Sequence, residues 1–246
     1  MTVRTIKLTV QYDGSRYHGW QIQPGKKTIQ GELVEAISSL VGTRTHVHGA
    51  SRTDAGVSAL GQVALFEVDS PIPTENFPDA ISKRLPRDIV VTAAEEAAGR
   101  FDLMGGAKSK LYRYTIYTGR HRPVLRLHQC WHLPRELDVP AMNRAAQLLV
   151  GTKDFKSFAA AKDKRDQTVR TIFRCEATTE DKWITVDVEG DAFLYNMVRN
   201  IVGTLVDIGV GRWQPGKMNE ILEVKDRTAA GRLAPPEGLC LMWIKY

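Results

Sequence analysis

The stretch Ser51-Arg52-Thr53-Asp54-Ala55-Gly56-Val57-Ser58, followed by the apolar run Val63-Ala64-Leu65-Phe66-Glu67-Val68, reads as a tight turn leading into a strand. A short strand from Thr45 to Ala50 delivers the chain to that turn. One carboxylate, Asp54, stands between a guanidinium two residues before it and a glycine two residues after it. A carboxylate at a turn by a strand end is well placed to face a cleft. Arg52 can hold it ionised and aimed, because an opposite charge within a few ångströms favours the charged form. Gly56 permits positive φ or a close approach by substrate or backbone. Taken alone, Arg-x-Asp-x-Gly is most often a solvated hairpin turn with a surface ion pair.

Outward from this turn, the pattern mixes strands with helices. Thr5 to Tyr12 alternates as a half-buried strand does, and Asp13-Gly14 ends it with turn chemistry. Ile29, Leu33, Ile37, Leu40 and Val41 recur at helical spacing after Thr28, and Gly42 is a natural stop. A helix near Glu75–Leu85 and a strand near Asp88–Ala94 complete the first half. The second half predicts a strand over Leu111–Tyr117 and a helix from an Asp138 N-cap to Val150, with Pro140 in its first turn. Strands follow at Thr168–Thr178 and Lys182–Glu189, then a long helix defined by Phe193, Met197, Ile201, Leu205 and Ile208, then a last strand at Leu239–Tyr246. Strand and helix do not alternate regularly, which favours a mainly antiparallel α+β sheet over a doubly wound parallel one. Two α/β halves are expected, residues 1–104 and 105–246.

The 246 residues carry 43% apolar and 25% charged side chains, the composition of an ordinary globular protein. No apolar run reaches membrane-spanning length, so no membrane contact is expected. Three cysteines, far apart and odd in number, argue against a disulfide framework and for a reducing, cytoplasmic setting. The net charge of +6 is modest but unevenly placed. From Leu103 to Arg135 there is no Asp or Glu, while Lys108, Lys110, Arg113, Arg120, Arg122, Arg126 and Arg135 are interleaved with Tyr112, Tyr114, Tyr117 and Trp131. A second basic group follows at Lys162, Lys164, Arg165, Arg170 and Arg174. Cations among aromatic rings suit a phosphate backbone with stackable bases, although a basic solvated face has the same composition.

Arg52-Thr53-Asp54-Ala55-Gly56-Val57 resembles the catalytic signature of the TruA family of tRNA pseudouridine synthases. The resemblance continues in order through Tyr12-Asp13-Gly14-Ser15, Gly19-Trp20-Gln21 and Thr28-Ile29-Gln30-Gly31. It then runs through Lys110-Leu111-Tyr112-Arg113-Tyr114, Asp154-Phe155-Lys156-Ser157-Phe158, Phe193–Gly203, Asp226–Ala230 and Glu237-Gly238-Leu239. Family members commonly have Gly in place of Ser51 and His in place of Ser58; both positions flank the carboxylate without replacing it. The resemblance implies two α/β halves sharing a sheet around a basic central cleft, the pseudouridine synthase fold. It implies isomerisation of uridine to pseudouridine at tRNA positions 38 to 40, in the anticodon arm, by a homodimer.

That reaction breaks the C1′–N1 bond, turns the uracil and rejoins it through C5, so no cofactor is expected. By resemblance Asp54 is the nucleophile, attacking either C6 of the base or C1′ of the ribose. Tyr112 is a substrate-binding residue and Arg199 a partner of Asp54 through a salt bridge. Arg52 fills the space left by the flipped nucleotide, holds a phosphate, or only orients the loop. Arg on an apolar helix can also be an edge residue with its head in water, and Tyr114 suits a core role. No metal is expected: His46-x-His48 and His128…His132 share strand faces but lack the further ligands a zinc site needs. Two other readings stay open, a non-catalytic RNA-binding module and a hydrolase, the latter poorly served by the unpaired Asp13 and Asp191.

Overall fold

The computed structural model describes residues 3–97, 99, 101–161 and 167–246. By contacts the chain divides into two units, Met1–Lys108 together with Cys240–Tyr246, and Ser109–Leu239. The boundary lies close to the one expected at residue 104, but the last strand belongs with the first unit, not the second.

The first unit contains β1 (Arg4–Tyr12), α1 (Ile29–Val41), β2 (Val47–Gly49), β3 (Ser58–Val68), α2 (Phe77–Ser82) and β4 (Ile89–Glu96). β1 pairs antiparallel with β3 on one side and β4 on the other. The far edge of β3 takes β2 in antiparallel register, and Ser58 and Ala59 pair in parallel with Cys240 and Leu241 of the tenth strand, β10 (Leu239–Lys245). The alternation in β1 buries Ile6, Leu8, Val10 and Tyr12, which join Leu33 and Ile37 of α1, Phe66 of β3 and Phe77 of α2 in the core. Each such aliphatic side chain stabilises the fold by about 1.5–3 kcal/mol. α1 has the ends that its sequence predicts. The Thr28 hydroxyl accepts the Gly31 N–H at 3.2 Å, and Gly42 closes the helix at φ 77°.

The second unit contains β5 (Ser109–Tyr117), β6 (Trp131–His132), α3 (Val139–Gln147), β7 (Gly151–Asp154), β8 (Val169–Glu180), β9 (Trp183–Gly190), α4 (Met197–Gly209) and α5 (Lys217–Val224). The order β5–β9–β8–β7 is antiparallel throughout, with β6 parallel to β5. β7 covers β8 only as far as Ile172. Beyond it α3 satisfies the edge: Asn143 Oδ1 accepts the Ala177 N–H at 3.1 Å, and Gln147 Nε2 donates to the Cys175 carbonyl at 3.0 Å. An i, i+4 pair of amides thus replaces a neighbouring strand and blunts an edge that would otherwise invite pairing. Asp138 caps α3 as expected, accepting the Ala141 N–H at 2.8 Å.

Two expectations change. The long helix begins at Met197, not Phe193, because Asn196 is left-handed (φ 63°, ψ 6°) and cannot extend it. A short helix, α5, was not legible, since Met218 and Ile221 alone mark its buried side. Of the second basic group, Lys162, Lys164 and Arg165 lie outside the described residues.

Candidate active site

In the first unit Asp54 sits on a reverse turn closed by Val57 N–H to the Asp54 carbonyl at 3.1 Å. Gly56, third in that turn, has φ 82°, as a type II turn requires. The turn is clamped from several sides. Gly56 N–H donates to the Tyr17 carbonyl at 3.2 Å, and Trp20 N–H donates to the Thr53 carbonyl at 3.0 Å. The Thr53 hydroxyl lies 2.8 Å from the buried Tyr12 hydroxyl. Gly14 and Gly19 press so closely that a Cβ would stand 2.0 Å from the Val57 oxygen and 2.5 Å from the Thr53 oxygen. Fully buried Gln62 completes the frame, donating to the Ser51 carbonyl at 2.6 Å and accepting its N–H at 3.2 Å. Two motifs distant in sequence, Tyr12–Gly14 and Gly19-Trp20, therefore act as the mould for the Asp54 turn.

Asp88 secures that mould. It accepts from the Tyr17 hydroxyl at 2.7 Å and from Arg16 Nη2 at 2.6 Å, while its carbonyl takes the Asp13 N–H at 3.0 Å. Burial works against its ionisation, but the hydrogen bonds from Tyr17 and Arg16 outweigh that and hold its carboxyl below the usual range. Nothing in the sequence distinguished Asp88 from any other loop carboxylate. Asp54 itself is partly buried, and Arg52 is exposed, with no hydrogen bond or ion pair to the described residues. The ion pair expected between Arg52 and Asp54 is absent among those residues, and backbone hydrogen bonds hold the turn from several sides.

In the second unit the period of β5 places Lys110, Tyr112 and Tyr114 on one face. Tyr112 is buried and meets Phe193 edge to face, with ring centroids 5.2 Å apart. Tyr114 is a core residue: fully buried, its hydroxyl donates to the Pro235 carbonyl at 2.7 Å, and burial raises its pKa well above the usual value, against the opposing charge of Arg199. Burial also lowers the pKa of Lys110. Arg199 is the one residue of α4 that is not buried. Its Nε donates to the Ala234 carbonyl at 2.8 Å and its Nη1 to Asn196 Oδ1 at 3.2 Å. The segment after α5 reaches Arg199 because Gly203 and Gly231 let backbone touch backbone; a Cβ on Gly203 would lie 1.7 Å from the Arg232 oxygen. Thr204 and the fully buried Asp207 hold the same segment, through Gly231 N–H at 2.9 Å and Arg232 at 2.9 Å. Neither Asn196 nor Asp207 was singled out from the sequence.

Among the described residues no three His, Cys, Asp or Glu side chains gather in a metal-binding group, and no helix is long and apolar enough to cross a membrane. The aromatic rings of the basic stretch are largely occupied by packing: Tyr117 stacks on Trp183 at 4.4 Å, and Trp131 meets Tyr114 at 6.3 Å. Its cations differ. Lys108, Arg120, Arg122, Arg126 and Arg135 are exposed.

Residues 8–102 and 145–246 match the family described as tRNA pseudouridine synthase. A protein of Caldicellulosiruptor saccharolyticus called tRNA pseudouridine synthase A is 43% identical over 99% of this chain and 100% of its own length. Proteins of the same name from Geobacillus kaustophilus and Bacillus subtilis are 44% and 43% identical, covering 100% and 98% of this chain and 95% and 98% of theirs. The chain belongs to the TruA family of tRNA pseudouridine synthases. As a TruA-family enzyme it is an isomerase that converts uridine to pseudouridine in tRNA. The motif that carries the resemblance is also the loop that Tyr12, Gly14, Gly19 and Gln62 frame.

Proposed function

We propose that Asp54 is the nucleophile of this enzyme, acting without a cofactor on uridines 38 to 40 in the anticodon arm. The observation that supports the reading best is the frame around the Asp54 turn, where Tyr12, Gly14, Gly19 and Gln62 all constrain one short loop. Preorganisation of that kind is what a carboxylate needs if it is to meet a reacting atom without rearranging. The chemistry balances internally: C1′–N1 breaks, C1′–C5 forms, C5 loses its proton and N1 gains one. Attack at C6 or at C1′ both fit a single carboxylate. Tyr112 holds the uracil by its ring, Arg199 pairs with the carboxylate of Asp54, and Arg52 holds a phosphate or the space of the extruded nucleotide. Two halves, 1–104 and 105–246 apart from the returning last strand, would each supply part of this set. The working form is a cytoplasmic homodimer.

Mapping pseudouridine in tRNA after incubation with purified protein tests this reading. Wild type should modify positions 38 to 40, and Asp54→Asn should abolish product while leaving tRNA binding within a few-fold. Full activity in Asp54→Asn would remove Asp54 from the chemistry, and product at other positions would overturn the anticodon-arm assignment.

A further inference from the structure

Beside the Asp54 turn the first unit holds a cavity of about 320 Å³. Its lining combines the apolar Trp20, Leu65 and Phe101 with the polar Gln21, Gln30, His48, Arg52 and Asp102, and with Met104. Apolar surface with a few fixed polar groups is how small-ligand sites are built, and the volume falls at the lower end of their range.

The polar groups are held in place. Gln21 Nε2 donates to Gln30 Oε1 at 2.8 Å, and that oxygen also takes the Ile22 N–H at 2.8 Å. Gln30 Nε2 in turn donates to the Val47 carbonyl at 2.8 Å. This relay fixes which way the Gln21 amide faces and leaves it one N–H and its carbonyl oxygen, the pair with which a side-chain amide reads a base edge. Asp102 Oδ1 accepts the N–H groups of Met104 and Gly105 at 3.1 and 2.8 Å. Asp102 is part of the lining, and its carboxylate would accept from a donor there and repel a phosphate. Arg52, also in the lining, is an exposed cation. Met104 is 65% exposed, a large apolar side chain that the fold leaves at the mouth, and thioethers make favourable contacts with aromatic rings.

We infer that this cavity is a subsite for one unstacked nucleotide adjacent to the target uridine on the same strand. Its base lies between Met104 and the apolar lining with an exocyclic amine toward Asp102 and its edge on Gln21, and its phosphate rests on Arg52. Adjacency is part of the inference: the Cα atoms of Arg52 and Asp54 are about 7 Å apart at most, which keeps what Arg52 holds close to the target on which Asp54 works. The inference rests on the proposed role of Asp54.

The test uses tRNA transcripts with a single abasic nucleotide placed in turn on either side of the target, assayed for pseudouridine over a range of concentrations. For wild type, one neighbouring abasic position should raise KM about tenfold, the scale of one bidentate base contact, with kcat within about twofold. In Gln21→Leu, which keeps the volume and loses the amide, that penalty should shrink to less than about twofold. Met104→Glu, at an exposed position that does not threaten folding, should raise KM on unaltered tRNA. A flat abasic scan in wild type, or an equal abasic penalty in wild type and Gln21→Leu with Met104→Glu unchanged, would overturn the subsite. Asp54→Asn that remains active would instead overturn the reading it rests on.

Discussion

Asn196 does two things at one position. It turns the chain through a left-handed conformation (φ 63°, ψ 6°) that ends one segment and starts α4, and its carboxamide accepts from Arg199. Asn tolerates that conformation better than other non-glycine residues, but it still costs on the order of 1 kcal/mol or more. The two tasks can be separated by substitution. Asn196→Gly keeps the turn and deletes the carboxamide; stability should stay within about 1 kcal/mol of wild type, because relief of strain offsets a lost hydrogen bond. If Arg199 acts in catalysis, kcat should nonetheless fall about tenfold with KM little changed, and Asn196→Asp should restore most of it. Denaturant melts and steady-state kinetics measure both. An equal loss in Asn196→Gly and Asn196→Asp would reduce Asn196 to a structural role. At this scale the sequence was uneven. Asp54 stood out because carboxylate, guanidinium and glycine lie within five residues of one another. Asn196 and Asp88 did not, because their partners are set by backbone geometry and by contacts across 71 residues for Asp88 and Tyr17.

At the scale of elements, the Asp54 turn is a small structure whose shape depends on Gly56. Ala in its place must adopt φ near 82°, at roughly 1–2 kcal/mol. Gly25 offers a control, with φ 68° and nothing within 4 Å of a Cβ built on it. Gly25→Ala and Gly56→Ala should lose similar stability in thermal melts, yet only Gly56→Ala should lose activity, by about 100-fold, the effect of displacing a reacting group by about 1 Å. Comparable activity in both would mean that the turn tolerates another shape. Helices α1 and α3 were legible because their caps are local: Thr28 and Asp138 bond to N–H groups three residues on. The start of α4 was not, since apolar spacing continues back to Phe193 while the backbone has already turned away. Phe193 takes its place in the periodicity for another reason, its edge-to-face contact with Tyr112.

For the whole molecule, charge and aromatic content have to be weighed separately. The stretch from Leu103 to Arg135 reads as cations interleaved with rings, but folding draws most of those rings into packing and leaves a different set of cations in water. Arg113 is bound to the buried Asp187 through two hydrogen bonds of 2.7 Å, so it is spoken for by the sheet. Lys110 is buried. Arg120, Arg122 and Arg135 are exposed and are in no ion pair with the described residues, while Arg126 lies 4.7 Å over the Trp183 ring. Exposed cations of this kind add affinity for a phosphate backbone without reading sequence, and each phosphate neutralised adds about 0.7–0.9 to the magnitude of the slope of log K against log salt. Replacing Arg120 and Arg122 by Ala should therefore weaken tRNA binding at low salt and make that slope shallower by about 1–2, while kcat at saturating tRNA stays near wild type. Arg113→Ala should do the reverse: it removes both short hydrogen bonds to Asp187, leaves it, among the described residues, only Arg174 at 3.7 Å, and lowers stability by up to about 3 kcal/mol, with little change in the slope. Filter binding between about 50 and 200 mM salt, set beside denaturant melts, separates the two; an unchanged slope in Arg120→Ala/Arg122→Ala would place the RNA on another surface.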